Sequence, residues 1–389
     1  MKTLKIGLLP KILISIVLGV GVGILLKEFE AETIARIFVT INGIFSQFLG
    51  FIIPLIIVAL VTTAIADIGG RAGKMLIVTV AIAYASTVFA GLVSYLTGAS
   101  LFPSMIDCTA TIGNVGEFTA LTPFFEVNIP PLMGVMTALV LAFTLGLGLA
   151  ATQHDILLKA THGFEEIMVR TIKAVIIPFL PIYIFGIFLD MSYVGKVFSI
   201  MSVFIKIIGI IFLIHIFILL LQFFIAGMVT KKNPFRLLWN MLPAYFTALG
   251  TQSSAATIPV TMEQTLKNGV SEDVAGFTIP LCATIHMAGS TLKIVACALA
   301  LMIMMNIPYD FGMFAGFICM LGITMVAAPG VPGGAIMAAL GLLSSILGFD
   351  ADQQGLMIAL YIAMDSFGTA CNVTGDGAIS LIIDKIFRK

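Results

Sequence analysis

Long apolar stretches are the feature that most limits what this chain can fold into. A helix of about 20 residues crosses the hydrocarbon core of a bilayer, so an apolar run of that length is a candidate membrane span. Uninterrupted runs of this kind cover residues 8–27, 37–66, 74–98, 129–152, 168–190 and 198–229. Of the 389 residues, 60% are hydrophobic and 10% are charged, whereas ordinary soluble domains carry about 25% charged residues. The sequence therefore predicts an all-α integral membrane protein.

Charge and cysteine content argue against several other classes of protein. The formal net charge is zero, which gives no reason to expect nucleic acid or another polyanion as a partner. The five cysteines show no CxxC or other metal-binding spacing, and most are interpreted as small buried apolar residues. The first apolar run is followed by charged residues without a small-residue cleavage site, so we predict a membrane helix rather than a signal peptide.

Two later apolar segments are interrupted near their centres. Residues 237–267 contain a Ser- and Thr-rich stretch at 250–257, and residues 312–349 contain a Gly- and Pro-rich stretch at 328–334. Each arm is too short to cross a bilayer, and such paired broken segments mark the binding site in many secondary transporters. Gly and Pro could instead kink two ordinary helices, but a simple kink would not explain the polar first break. We predict two re-entrant hairpins, followed by the full-length spans 273–305 and 353–384.

A polar stripe runs through the last apolar segment. Asp365, Thr369, Asn372 and Asp376 are spaced so that a helix presents all of them on one face. A carboxylate at the centre of a bilayer costs about 3 kcal/mol on insertion scales, so an intramembrane acid normally faces a site rather than lipid. A helix packed on polar neighbours without a ligand is the alternative interpretation. We predict that the stripe lines a binding site.

The distribution of lysine and arginine indicates the orientation in the membrane. If each interrupted segment turns back, most of these residues fall on the side that carries both termini, and the opposite loops carry only Lys27, Arg36 and Lys196. Positively charged loops are cytoplasmic, so we predict a multi-pass protein of the inner (plasma) membrane with both termini in the cytoplasm. If the two interrupted segments instead formed four full spans, both termini would lie on the same sides, so the charge distribution does not distinguish the two topologies. The shortness of each arm is what favours the hairpins.

Three motifs in the second half of the chain resemble those of one transporter family. They are GTQSSAATIPVT at 250–261, GVPG at 330–333 and NVTGD at 372–376. In order and spacing they are similar to the first hairpin tip, the second hairpin tip and the last-helix motif of the dicarboxylate/amino acid:cation symporters. That family includes glutamate transporters and neutral amino acid exchangers. The resemblance covers essentially the whole chain.

The resemblance implies a specific architecture. It has eight transmembrane helices plus two re-entrant helical hairpins that meet tip to tip near the bilayer midplane, in a homotrimer. Helices 1, 2, 4 and 5 form a scaffold, and the other elements form a transport domain that moves like an elevator, with the second hairpin as the gate. The expected boundaries are 1–70 and 101–195 for the scaffold, and 71–100 and 196–389 for the transport domain.

The resemblance also implies roles for individual residues. Asp365 matches the acid that holds the substrate α-ammonium, and a carboxylate suits such a group in a dry pocket. Asp376 matches a sodium ligand, because oxygen ligands suit a hard cation. The expected substrate contacts are Ser253, Ser254, Met287, Ser290, Val331, Gly333, Asp365, Gly368, Thr369 and Asn372. The expected sodium ligands, partly through backbone carbonyls, are Cys282, Thr284, His286, Asn372 and Asp376.

Two departures from the family pattern bear on the substrate and the ions. Gly368 stands where transporters of acidic substrates carry an arginine, so a second substrate carboxylate would lack a bidentate partner. Ala288 replaces an acid of a further sodium site, which we therefore expect to be absent or weakened. The sequence is interpreted as a sodium-coupled, secondary-active symporter of a small neutral amino acid such as serine, threonine or alanine.

Other interpretations remain at this stage. His286 and Lys293 lie seven residues apart in an apolar span, and either could carry a proton, which would make the protein a proton-coupled symporter of an amino acid or another small organic solute. Alternatively, His286 is a hydrogen-bonded core residue and Lys293 neutralises an acid. Broken segments also occur in membrane channels, although no ring of charged residues is readable. An intramembrane enzyme is disfavoured, because no G-x-S-x-G or H-E-x-x-H motif occurs.

Overall fold

A computed structural model of the protein describes residues 8–70, 74–106, 121–152, 155–195, 197–326, 328 and 333–387. Helices account for all of the regular secondary structure within these ranges. They are α1 (Leu8–Glu28), α2 (Glu32–Gly70), α3 (Lys74–Met105), α4 (Val135–Thr152), α5 (Asp155–Thr171), α6 (Ile177–Val194), α7 (Val197–Thr230), α8 (Pro234–Thr251), α9 (Ser254–Lys267), α10 (Glu272–Ile285), α11 (Ala288–Met304), α12 (Phe311–Val326), α13 (Gly334–Ser345), α14 (Ala351–Ala363) and α15 (Asp365–Phe387). One π-helical turn, Ile172–Ile176, joins α5 to α6.

Within the described ranges, six spans are long and apolar enough to cross a membrane, and a seventh is added if α14 and α15 count as one bent span. This confirms a multi-pass membrane protein. The predicted span 129–152 is helical only in its later part, because α4 begins at Val135. The expected total of eight transmembrane helices therefore stays a prediction. The spans are Pro10–Glu28, Glu32–Asp67, Lys74–Met105, Asp155–Val194, Met201–Thr230 and Glu272–Met304.

The first interrupted segment turns back on itself between α8 and α9. The turn is local in origin: Gln252 adopts a left-handed backbone conformation (φ 53°) at the end of α8. The next residue, Ser253, caps the start of α9: its side-chain oxygen accepts a hydrogen bond from the N–H of Ala256 at 3.3 Å. Because one helix ends just before Gln252 and the next is capped by Ser253, the polar residues of the turn lie between the two apolar arms.

The base of this first hairpin shows that its arms are antiparallel. Asn268 follows the second arm, and its Nδ2 donates to the carbonyl oxygen of Leu237 at 3.0 Å. Its Oδ1 accepts a hydrogen bond from Nδ2 of Asn240 at 2.8 Å, across 28 positions of the chain. A continuous helix would hold residues so far apart in sequence at about 40 Å from each other. The chain therefore reverses within the segment.

The second interrupted segment forms α12 and α13, which pack against each other. Their lengths of 16 and 12 residues are too short for either to cross a bilayer alone. Gly333, which precedes α13, has a φ of 75°, a backbone conformation that glycine adopts without steric cost. The expected substrate contact Val331 lies outside the described residues.

The predicted continuous span 273–305 is divided in the structure. Helix α10 ends at Ile285 and α11 begins at Ala288, so the backbone of His286 and Met287 is not helical. Such a break leaves the last carbonyl groups of α10 and the first N–H groups of α11 without helical partners. Every residue of α11 is buried. Polar backbone groups are therefore presented inside the protein.

Helix contacts place α11 and α15 at the centre of the second half of the chain. Helix α11 packs against α3 and α15, and α15 also packs against α7, α8, α9 and α10. In the first half, α1 packs against α6, and α2 packs against α4. The polar stripe on α15 therefore faces α11 and the first hairpin rather than lipid.

Candidate functional site

Asp365 lies at a sharp bend near the middle of the last apolar segment. Helices α14 and α15 meet there at 62°, and Asp365 is the first residue of α15. The residue is 4% exposed. Its Oδ2 accepts a hydrogen bond from the backbone N–H of Gly333 at 2.8 Å, which joins the stripe to the second interrupted segment. A buried acid is thus held at a point where two broken elements meet.

The side chain of Lys293 reaches the same carboxylate from α11. Its Nζ lies 3.7 Å from Oδ1 of Asp365 and donates a hydrogen bond to the carbonyl oxygen of Met364 at 3.1 Å. It also lies 3.9 Å from the centre of the Tyr361 ring, in a cation–π arrangement. The side chain is 1% exposed. Lys293 and Asp365 therefore form a buried ion pair.

Gly368 leaves room for this lysine. A Cβ atom added at Gly368 would collide with Nζ and Cε of Lys293. In transporters of acidic substrates, an arginine is expected at the position of Gly368. Here the ammonium group of Lys293, from the neighbouring helix α11, occupies the space beside that position. The next residue, Thr369, is also buried, on the same helix.

A second polar network lies around the break between α10 and α11. Oδ1 of Asn372 accepts a hydrogen bond from the backbone N–H of Gly289 at 2.8 Å. Its Nδ2 donates to Oγ of Ser290 at 3.1 Å and lies 3.4 Å from Sδ of Met287. The Tyr361 hydroxyl donates to the same Ser290 oxygen at 2.9 Å. The structure therefore brings three expected substrate contacts into one hydrogen-bonded group.

The tip of the first hairpin reaches the start of α15. Nε2 of Gln252 donates a hydrogen bond to Oγ of Ser366 at 3.0 Å. Ser254, an expected substrate contact, is buried at the N-terminus of α9. The free N–H groups and the dipole at a helix N-terminus favour an anion. This end of the site is suited to a carboxylate, whereas Asp365 is suited to an amine.

His286 and Asp376 are paired at the other end of the stripe. Nδ1 of His286 lies 2.9 Å from Oδ1 of Asp376, and both side chains are almost completely buried. Nε2 of the same ring lies 3.1 Å from Oγ of Ser86 on α3. Nε2 of Gln222 donates to that Ser86 oxygen at 3.0 Å. His286 and Asp376 were both expected to be sodium ligands, and in the structure their side chains are hydrogen-bonded to each other.

The other expected sodium ligands differ in their surroundings. Cys282 is fully buried, and its carbonyl oxygen accepts a hydrogen bond from the N–H of His286 at 2.9 Å. Thr284 is exposed, and its hydroxyl donates to the carbonyl oxygen of Leu281 at 2.7 Å. The described ranges contain no group of three or more His, Cys, Asp and Glu side chains arranged for a metal ion. The oxygen atoms near the break after α10 that suit a hard cation are the Asp376 carboxylate, the Asn372 amide oxygen and the backbone carbonyl groups.

Close packing of α11 on α15 gives a test of the site's architecture. A Cβ at Gly289 would lie 2.5 Å from Cβ of Cys371 and 2.6 Å from the carbonyl oxygen of Gly368. Gly289→Ala is expected to destabilise the fold by about 1 to 3 kcal/mol through overpacking. Thermal unfolding of the detergent-purified protein measures the change. Gly209→Ala on α7 is the control, because a Cβ there meets nothing within 4 Å; an equal effect of both substitutions would contradict the close contact.

Several polar groups of the site were not identified from the sequence. Tyr361, Ser86 and Gln222 lie on three different helices and reach the site only through tertiary packing. Lys293 was interpreted either as a possible proton carrier or as a residue that neutralises an acid, but Asp365 was not identified as that acid. A lysine in the middle of an apolar span was the available signal, because such a residue needs a buried acid nearby.

Comparison with known proteins adds to this geometry. A family model described as the sodium:dicarboxylate symporter family matches residues 8–386. The chain is 33% identical to excitatory amino acid transporter 5 of Mus musculus over 163 residues, which are 42% of this chain and 29% of that protein. It is 29% identical to excitatory amino acid transporter 1 of Homo sapiens over 293 residues, which are 72% of this chain and 53% of that protein. The chain thus spans about half or less of the length of these relatives.

Proposed function

The chain belongs to the sodium:dicarboxylate symporter family, as its motifs predicted, and from this premise we propose that it is a sodium-coupled symporter of a small neutral amino acid. Serine, threonine and alanine are the expected substrates. The observation that carries this proposal is Asp365, a buried carboxylate at the bend between α14 and α15. A carboxylate in a dry site binds an amine strongly, through a charge-assisted hydrogen bond.

The charges of the site support a substrate without net charge. Asp365 and Lys293 cancel each other formally. A zwitterionic amino acid adds one ammonium and one carboxylate, so the total remains unchanged. An acidic amino acid would add a negative charge, and burying an unpaired charge is costly. We place the substrate ammonium at Asp365 and its carboxylate near Ser254 and Asn372.

The coupling ion is proposed to be sodium, with Asp376 as its charged ligand. The family description supports sodium, and oxygen ligands at the break after α10 suit a hard cation. The competing hypothesis is a proton carried by His286 or Lys293. The hydrogen bond between His286 and Asp376 supports this alternative, because the imidazole occupies the carboxylate that would otherwise bind sodium.

The proposed transport cycle is an elevator movement. The scaffold (1–70 and 101–195) stays in place in a homotrimer, and the transport domain (71–100 and 196–389) carries substrate and ion across the bilayer. The second hairpin acts as the gate, and its Gly333 contact with Asp365 supports this role. The protein is placed in the inner (plasma) membrane with both termini in the cytoplasm.

Uptake into proteoliposomes tests the proposal. Labelled serine, alanine, threonine, glutamate and aspartate are supplied in turn, first under a sodium gradient and then under a proton gradient. We expect saturable uptake of the neutral amino acids that needs external sodium and stops when the gradient is dissipated. Protein-free liposomes under the same gradients give the background.

The other outcomes identify the competing functions. Uptake driven only by the proton gradient would move the coupling to His286 or Lys293. Uptake of glutamate or aspartate alone would show that Lys293 compensates for the missing arginine at Gly368. Unitary currents in a planar bilayer, with flux that does not saturate, would show a channel.

A further inference from the structure

Lys293 is held by three partners of different kinds. One is charged, the carboxylate of Asp365 at 3.7 Å. The other two are neutral: the carbonyl oxygen of Met364 at 3.1 Å and the ring of Tyr361 at 3.9 Å. Lys293 can keep its contacts with these two neutral partners when Asp365 binds another cation. The ammonium can therefore stay buried near Asp365 without depending on it entirely.

Asp365, by contrast, has few ways to remain charged in this environment. It is 4% exposed, and apart from Lys293 its partners among the described residues are uncharged: the backbone N–H of Gly333 and the hydroxyl of Tyr361. An N–H group carries no net charge, and a carboxylate deep in a membrane needs a compensating cation. An amine substrate supplies that cation during the loaded half of a transport cycle. During the unloaded half, something else must supply it.

We propose that Lys293 is an internal counter-cation that neutralises Asp365 whenever no substrate amine is bound, and so allows the unloaded transport domain to recross the membrane. This inference rests on the proposed function, because it assumes an amine substrate and an alternating carrier. When the substrate ammonium takes Asp365, Lys293 keeps Met364 and Tyr361 as partners. When the substrate leaves, the ammonium pairs with the carboxylate again, and the site crosses without an uncompensated charge.

The test compares net uptake with exchange in proteoliposomes that contain the full-length protein. Exchange between labelled external and unlabelled internal substrate needs only the loaded domain to cross, whereas net uptake also needs the unloaded return. In Lys293→Met, the ratio of exchange rate to net uptake rate is expected to rise by about tenfold or more, because Asp365 crosses beside the substrate ammonium in the loaded domain but beside no cation in the unloaded one. Cys297→Ala is the control: Cys297 is also buried on α11, one turn further along, and its loss removes no charge, so the ratio should stay that of the unmodified protein. An unchanged ratio in Lys293→Met would overturn the proposal.

A second measurement does not depend on the substrate. Thermal unfolding is compared for Lys293→Met, Asp365→Asn and the double variant. If the two groups neutralise each other, each single variant unfolds at a lower temperature, and the double variant recovers part of the sum of the two losses. Strictly additive losses would overturn the pairing. If the unmodified protein neither takes up nor exchanges any amino acid, the proposed function fails, while this comparison still decides whether Lys293 and Asp365 act as a pair.

Discussion

Replacement of Asp365 by asparagine is expected to abolish saturable amino acid uptake. The amide keeps the shape of the side chain and can still accept the hydrogen bond from the Gly333 N–H, now 2.8 Å long. It lacks the charge that, in the proposed function, binds the substrate ammonium. Breaking a buried ion pair costs about 3 to 5 kcal/mol, which corresponds to a loss of affinity of about 100-fold or more. Initial uptake rates over a wide substrate range, at saturating sodium, measure the effect.

This substitution also affects the folded protein, and a control must separate the two effects. Asp365→Asn leaves the Lys293 ammonium without its charged partner, so lower yield or stability alone could reduce uptake. Combining it with Lys293→Met removes the unpaired charge and should restore much of the stability without restoring uptake. Saturable uptake by either variant, at rates near those of the unmodified protein, would refute the role of Asp365 in binding the substrate.

Much of the fold could be predicted because its causes are local. The length of apolar runs identifies membrane spans, and the Ser- and Thr-rich stretch at 250–257 correctly marked the point at which α8 and α9 reverse. The break at His286 and Met287 was not predicted. Neither residue is a typical helix breaker, and the flanking sequence is apolar on both sides, so the pattern resembles one continuous span. Packing around the Asn372 network, rather than local propensity, accompanies this break.

The site could be predicted only in part, because helical spacing reveals one face of one helix. It correctly placed Asp365, Thr369, Asn372 and Asp376 on a buried face of α15. It could not reveal which side chains of other helices meet that face. His286 contacts Asp376 across 90 positions of the chain, and Lys293 reaches the Met364 carbonyl across 71. Such contacts depend on how the helices pack; the intramembrane lysine indicates that an acid lies nearby, but helical spacing does not indicate which one.

The two buried pairs, an ion pair at Asp365 and a hydrogen bond at Asp376, suggest that the two ends of the stripe have different roles. At one end, Asp365 faces a lysine and the second interrupted segment; at the other, Asp376 faces a histidine and, through it, Ser86 and Gln222. Asn372 lies between them and bonds to the start of α11. Substrate and ion are therefore expected to act on one continuous helix, so that binding of either one alters the position of the other's ligands.

Replacement of Asp376 by asparagine is expected to remove most of the sodium dependence of uptake. The amide can keep a hydrogen bond to His286, which lies 2.9 Å from the carboxylate, but it offers no charge to a cation. Loss of a charged oxygen ligand from a hard-cation site should raise the sodium concentration needed for half-maximal uptake by about tenfold or more. Uptake at fixed substrate over a series of sodium concentrations, with the ionic strength held constant, measures this shift.

Asp384 provides a matched control for this prediction. It lies on α15 two turns beyond Asp376, is also buried, and accepts hydrogen bonds from the backbone N–H and the hydroxyl of Ser271 at 2.9 and 2.6 Å. Asp384→Asn removes the same charge from the same helix and weakens the start of α10, so it should lower the unfolding temperature. It should leave the half-maximal sodium concentration unchanged, because these contacts lie away from the break at His286. Equal shifts in both variants would show that the loss of charge acts through the fold, and Asp376 would then not be the sodium ligand.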